Sequence, residues 1–149
     1  TPLSEIALFE EFINNFPDKS FLLGSRIKRL GSNIERTTIR HYFGRVFATF
    51  ASIILKLGVY DTQCGAKLIK SELAEKIFAE PLCSRWLFDI ELIFRTMIYY
   101  GRQEAVNKMI EIPLNNWYEK GESKISPLYF FKVPLELLKI KNHYKKIKQ

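Results

Sequence analysis

A chain of 149 residues, 47% hydrophobic and 14% aromatic, can bury the core of one domain and falls outside the disordered and fibrous classes. Its net charge of +7 is concentrated at the C-terminal end, where residues 120–149 carry eight lysines against two glutamates; this is either a polyanion- or membrane-attracting segment or a solvated helix end favoured by the helix dipole. Two cysteines exclude a disulfide scaffold and predict a reduced, intracellular setting, His41 and His143 lack neighbours at zinc-ligand spacing, and no apolar run reaches the roughly 18 residues of a membrane span.

In chain order, Thr1-Pro2-Leu3-Ser4-Glu5 reads as a helix entrance, with Thr1 or Ser4 as cap and Glu5 at the positive end. The Thr1 start, in place of Met, predicts a fragment or processed chain, and no signal peptide is visible. Ile6, Phe9, Ile13 and Phe16 repeat at helical spacing until Pro17. Residues 20–25 form a short apolar run that predicts a buried strand, and residues 26–37 read as a basic loop. Ile39, Tyr42, Phe43, Val46, Phe47, Phe50, Ile53, Ile54 and Leu57 predict a long helix ended by Gly58. A loop and strand follow over 59–69, then a short helix from a Ser71 cap to Phe78, broken by Pro81. Residues 85–100 predict a helix closed by Gly101, and 105–113 a strand with Val106, Ile110 and Ile112 in the core. A polar loop around Gly121 leads to an amphipathic helix over 126–148, kinked at Pro134. Mixed strands and helices with long connections predict an α/β fold with about three visible strands.

Several charged groups recur beside landmarks of turn or helix. Arg26, Arg36 and Arg40 offer planar, permanently charged forks for phosphate oxygens, and a helix beginning near Arg36 would put Arg36 and Arg40 on one face. Asp61 sits in the polar run Asp61-Thr62-Gln63-Cys64-Gly65, where it is either a catalytic carboxylate or a loop cap. Asp89 and Glu91 are two apart on a helix and so face different ways; Glu91 reads best as a buried partner for an arginine. Trp86 and Trp117 read as core or interface aromatics in preference to sugar platforms.

Taken together, Gly24-Ser25-Arg26, Arg36 and Arg40, Gly44-Arg45, the 61–65 run, Trp86 with Phe88-Asp89-Ile90-Glu91-Leu92, Glu111-Ile112-Pro113 and Gly121-Glu122-Ser123-Lys124 resemble family 2 glycosyltransferases. The nearest group is the polyprenyl- and dolichyl-phosphate sugar transferases, and the resemblance runs over nearly the whole chain in the family's order. It implies a partial nucleotide-diphospho-sugar transferase (GT-A-like) fold, a few strands flanked by helices, forming a single domain over 1–149 that is the C-terminal, acceptor-side half of a catalytic domain. It implies inverting transfer from a nucleotide sugar to a polyprenyl phosphate, at the cytoplasmic face of a membrane. Arg26 and Arg40, with Arg36, are implied to hold the acceptor phosphate, Asp61 or its rival Asp89 to act in catalysis, and Ser123 and Lys124 to close over the donor diphosphate. The implied divalent metal, Mg or Mn, belongs mainly to an Asp-x-Asp motif that this chain does not contain, so the chain alone is expected to be inactive. Partners are then a nucleotide sugar, a lipid phosphate and a membrane surface met by the 126–149 helix, and not nucleic acid. Two other readings stand beside this one. They are transfer to a saccharide hydroxyl, which needs a general base, and a non-catalytic basic module that binds polyanions in a salt-sensitive way.

Overall fold

The computed structural model describes residues 1–119 and 132–147, with the side chains of 39, 40 and 145–147 outside the description. Strand β1 (Phe21–Ser25) is buried at every position and forms the centre of a three-stranded sheet. It pairs antiparallel with β3 (Lys67–Ile69) and parallel with β4 (Met109–Pro113). Its side chains alternate, as a pleated strand requires. Phe21 and Leu23 pack among the helices of the larger core, whereas Leu22 joins Phe9, Ile34, Cys64, Ile112 and Leu114 on the other face. A Cβ at Gly24 would stand 2.9 Å from the Ala66 carbonyl oxygen, so glycine is what lets this edge of β1 close on the 64–66 run. A mixed α/β arrangement with an open sheet and flanking helices is therefore borne out, and it fits a partial GT-A-like fold.

Two further strands lie in segments that read as loops. β2 (Asn33–Glu35) and β5 (Asn116–Tyr118) pair in parallel as a separate two-stranded sheet. Only Ile34 in β2 is buried, so neither strand carries an apolar alternation long enough to register in sequence. The predicted 105–113 strand divides into helix α5 (Arg102–Lys108) and β4. Val106 lies on that helix and is exposed, while Glu104 and Lys108 form an i,i+4 ion pair on it.

Helix boundaries shift for local reasons. A 3-10 turn, Leu3–Glu5, precedes α1 (Ile6–Asn15), and neither carries a side-chain cap from Thr1 or Ser4. Helix α2 (Thr38–Leu55) ends in a left-handed Lys56, before Gly58. The cap position of α3 (Ser71–Ile77) is Lys70. Helix α4 (Phe88–Tyr100) starts later than expected because Ser84 Oγ accepts from the Leu87 and Trp86 amides and holds a turn there. Gly101, at φ 77°, closes it as expected. In α6 (Val133–Ile147) Pro134 occupies the first turn, where its missing N–H costs nothing and no mid-helix kink arises. Residues 126–131 of the expected final helix lie outside the described residues.

The apolar faces of α2 and α6 also differ from expectation. Leu55 of α2 is buried and Phe47 and Ile54 pack on the core, but Tyr42, Phe43, Val46, Phe50 and Ile53 stand exposed. In α6 the stripe Val133, Leu137, Ile140 and Tyr144 is buried in this chain's own core, leaving Leu135 and Leu138 outward.

A buried polar network locks α6 to α4. Glu91 is fully buried and accepts from the backbone N–H groups of Cys83 (2.8 Å) and Ser84 and from the Tyr144 hydroxyl (2.8 Å). Its partner is not the arginine expected. Arg95 stands one bond further on, donating to Tyr144 Oη at 2.8 Å and to the carbonyls of Ile77, Glu80 and Pro81. Burial pushes the Tyr144 phenol well above its ordinary value, with Arg95 pulling down and Glu91 pushing up, so it stays a donor. Removing the carboxylate strands two part-buried amides and the buried Tyr144 phenol. Glu91→Ala is expected to cost about 3 kcal/mol in urea unfolding of the protein, and Tyr144→Phe about 1 kcal/mol; equal midpoints for Glu91→Ala and the unaltered chain would refute the role given to this network.

Candidate functional site

The chain leaves β1 at Ser25, and the next side chain, Arg26, turns onto the loop that follows α2. There it meets Asp61 in a two-pronged pair: Nε to Oδ2 at 2.6 Å and Nη2 to Oδ1 at 2.8 Å, with the Arg26 backbone N–H adding 3.1 Å to Oδ2. Both side chains are mostly buried, 16% and 11% exposed. The guanidinium also lies 5.3 Å from the Trp117 ring centroid, so a carboxylate fills one edge and an aromatic ring one face.

Asp61 is itself placed from behind. Glu111 on β4 accepts the N–H of Tyr60 at 2.8 Å and of Asp61 at 2.6 Å. Trp117 is placed in the same manner. Glu5, nearly fully buried, accepts the N–H groups of Asn115 (2.9 Å) and Asn116 (3.0 Å) at the start of β5. For Asp61, burial works to raise the pKa, but the Arg26 hydrogen bonds and charge outweigh it and hold the carboxyl below the ordinary range. Burial likewise opposes the charge on Arg26, and Asp61 more than offsets it.

These groups border a cleft of about 320 Å³ between the exit of β1, α2, the 60–63 loop, residues 86–87 and Trp117. Arg26, Lys28, Arg36 and Arg45 line it against Asp61 and Glu119, which leaves an excess of cations. Arg36 precedes α2 and so does not share a helical face with Arg40. Its guanidinium instead rests on Gly44, where an added Cβ would come within 2.8 Å of Nη2, and its charge reaches Asp61. Arg45 lies over the Tyr60 ring at 3.7 Å. Both tryptophans line the cleft; Trp86 is 40% exposed, whereas Trp117 is half-buried and also packs on the core around Ile34 and Ile112.

Asp89 occupies a different place. It is 5% exposed in the first turn of α4, is not among the residues lining the cleft, and pairs with Lys67 Nζ at 2.8 Å. Lys67 also donates to the Cys64 carbonyl. Burial raises the Asp89 pKa, with Lys67 and then Arg26 pulling the other way and Asp61 adding to the rise. Arg26, Arg36 and Asp61 are thus brought together, and Asp89 stands behind them. Arg40 has its backbone in the first turn of α2 and its side chain outside the described residues, as Ser123 and Lys124 are entirely. Arg45 and Glu111 appeared in sequence only as landmarks without a role, and Tyr60 not at all; a backbone amide as partner leaves no mark in sequence.

The donor set does not suit a metal. Among the described residues no three His, Cys, Asp or Glu side chains converge, and Asp61 and Asp89 are already neutralised by Arg26 and Lys67. Among the described residues no helix is long and apolar enough to cross a membrane.

No family model matches the chain, and no solved structure matches it. Curated relatives do. A dolichyl-phosphate β-glucosyltransferase of Trichomonas vaginalis is 32% identical over 128 residues, 85% of this chain and 36% of the relative. The enzyme of that name from Dictyostelium discoideum is 31% identical over 112 residues, 74% of this chain and 32% of the relative. That of Homo sapiens is 32% identical over 92 residues, 58% of this chain and 25% of the relative. The chain spans about a third of the length of the first two relatives.

The direction of the Asp61 shift gives a pH signature. A carboxyl whose folded pKa lies below its unfolded value, near 3.8, stabilises the fold above that value and ceases to as the pH falls through the folded one. Asp61→Asn is therefore expected to lower stability at pH 7, with the gap to the unaltered protein closing as pH falls below about 3.8. Urea midpoints from pH 7 to 2 check it; a gap independent of pH would show that the ionised carboxylate is not the stabilising form.

Proposed function

The chain belongs by homology to the dolichyl-phosphate sugar-transferase family of family 2 glycosyltransferases, and from that premise we propose that it is the acceptor-side, C-terminal part of the catalytic domain of an inverting glycosyltransferase. The enzyme moves a sugar from a nucleotide sugar to a polyprenyl phosphate, dolichyl phosphate being the acceptor in the names of its relatives. The observation that carries the reading is the cationic cleft whose Arg26 fork is pre-aimed by Asp61.

A phosphomonoester with a second pKa of about 6 is mostly dianionic at neutral pH, so it needs no base. It needs orientation and a counter-charge. Asp61 uses the Nε and Nη2 sides of Arg26, and the Nη1 side of the fork remains for a phosphate oxygen. That oxygen attacks the anomeric carbon as the bond to the nucleoside diphosphate breaks, the leaving diphosphate taking the electron pair. Asp61, held ionised with both oxygens occupied, orients the fork and takes no proton. Arg36 adds charge beside it, and in this reading Arg40 does the same. Ser123 and Lys124 then belong to the loop over the donor diphosphate.

In the full-length protein, Asp61→Asn is expected to raise the KM for dolichyl phosphate roughly tenfold, and to lower kcat less. The assay is transfer of labelled glucose from a nucleoside diphosphate glucose. Transfer that ignores dolichyl phosphate would sink the acceptor assignment. The saccharide-hydroxyl reading is favoured by one observation, the raised pKa of Asp89. It requires Asp89→Asn to lower kcat by about a hundredfold or more through loss of a general base.

An isoprenoid tail and a bilayer also require apolar contact; in this reading α2 supplies it, and the enzyme works at the cytoplasmic face of a membrane. Tyr42, Val46 and Ile53 are exposed on the helix whose Arg45 and Ala48 line the cleft. The apolar stripe of α6 is used internally, which leaves that helix to contribute Leu135 and Leu138 with nearby lysines. Val46→Glu with Ile53→Glu is expected to reduce flotation of the protein with anionic vesicles by about half or more. Undiminished flotation would remove α2 from the membrane contact.

A further inference from the structure

Arg26, the arginine that sequence placed first among phosphate ligands, has part of its fork committed to Asp61. Arg29 and Arg102 are also engaged, with Asn115 and with the Leu55 carbonyl. Arg45 differs. It lines the cleft, its guanidinium carbon is 3.7 Å from the Tyr60 ring centroid, and among the described residues no carboxylate pairs with it. Stacking engages the face of a guanidinium and leaves its N–H edges uncommitted. Lys28 also lines the cleft, but it is exposed and no described contact orients it.

Tyr60 is not a loose platform. Its backbone N–H donates to Glu111 Oε2 at 2.8 Å, and Glu111 lies on β4 opposite Leu23 of the central strand. The line of support runs from the sheet to Glu111, to the Tyr60 backbone, to its ring, and to Arg45. A cation held in this way has little rotamer freedom left to lose on binding, which is what makes it an effective anion ligand.

We propose that Arg45, stacked on the Glu111-tethered Tyr60, binds a substrate phosphate group directly and complements the Arg26–Asp61 fork across the cleft. The assignment rests on the transferase reading above and adds two residues to it. Tyr60 and Glu111 are positioning residues, and Arg45 touches the ligand. The phosphate has two possible sources, the isoprenoid acceptor and the donor diphosphate, which share this chemistry.

The test uses the full-length protein with two probes, farnesyl phosphate and uridine diphosphate, by titration calorimetry. Arg45→Gln is expected to weaken at least one of them about tenfold or more. A loss confined to farnesyl phosphate assigns Arg45 to the acceptor, and a loss confined to uridine diphosphate assigns it to the donor. Tyr60→Leu is expected to produce a similar but smaller loss, whereas Tyr60→Phe, which keeps the ring, is expected to bind within about twofold of the unaltered protein. Lys76→Gln, on the exposed side of α3, controls for loss of one positive charge and is expected to change neither affinity. Should Arg45→Gln fold poorly, Tyr60→Leu against Tyr60→Phe carries the comparison alone. Unchanged affinities in Arg45→Gln, or equal losses in Tyr60→Leu and Tyr60→Phe, overturn the assignment while leaving the transferase reading intact. No binding of either probe by the unaltered protein overturns both.

Discussion

The ion pair between Arg26 and Asp61 joins the exit of the central strand to the loop after α2, and the cleft takes its shape from that junction. Two mostly buried charges are expensive to desolvate, and a single contact at this depth would barely repay the cost. Here the geometry is two-pronged, a backbone N–H adds a third hydrogen bond, and Trp117 covers the guanidinium face. Such a pair contributes little net stability relative to an apolar replacement, but it fixes direction. A planar fork whose one side is satisfied presents its other side at a known place, which suits recognition of a tetrahedral anion.

The same economy recurs away from the pair. Glu5, Glu91 and Glu111 each accept two successive backbone N–H groups, from 115–116 at the start of the edge strand β5 and from the loop segments 83–84 and 60–61. A three-stranded sheet leaves much of its surrounding backbone without a ladder, and buried amides must be satisfied somewhere. A carboxylate reaching two adjacent amides does this while tying an irregular loop to a helix or strand. Two of the three serve the cleft, Glu111 under Asp61 and Glu5 under Trp117. The third, Glu91, connects through Tyr144 to α6, whose first residue, Val133, also lines the cleft.

What sequence revealed and what it hid follow from range. Phe21-Leu22-Leu23 is a dense apolar run, and it proved to be the buried strand. Ile6, Phe9 and Ile13 are locally periodic, and α1 formed over them. β2 and β5 have three residues each and exist because they pair with one another across more than 80 positions; nothing local announces them. The apolar pattern on α2 was real but covered more of the helix than the core could bury, so periodicity located the helix and misjudged which residues face inward. For the site, the charged residue types were visible in Arg26, Arg36, Asp61 and Asp89. Their pairing was not, because Arg26 and Asp61 are 35 positions apart and Lys67 was never matched with Asp89.

The two aspartates sit in opposed environments. Asp61 is held down by Arg26, whereas burial pushes Asp89 up against the pull of Lys67. Asp89 stands outside the cleft lining, and its partner Lys67 reaches the Cys64 carbonyl. Its evident work is therefore on the run Asp61-Thr62-Gln63-Cys64. Glu111 holds that run at its first amide, and the Lys67–Asp89 pair holds it at Cys64, while Gly24 lets β1 close against it. A run fixed at both ends and pressed on a central strand is a rigid mount for Asp61. In the proposed reading that rigidity matters because a phosphate acceptor needs no proton removed; what the protein would contribute is a charge already in the right direction before the ligand arrives.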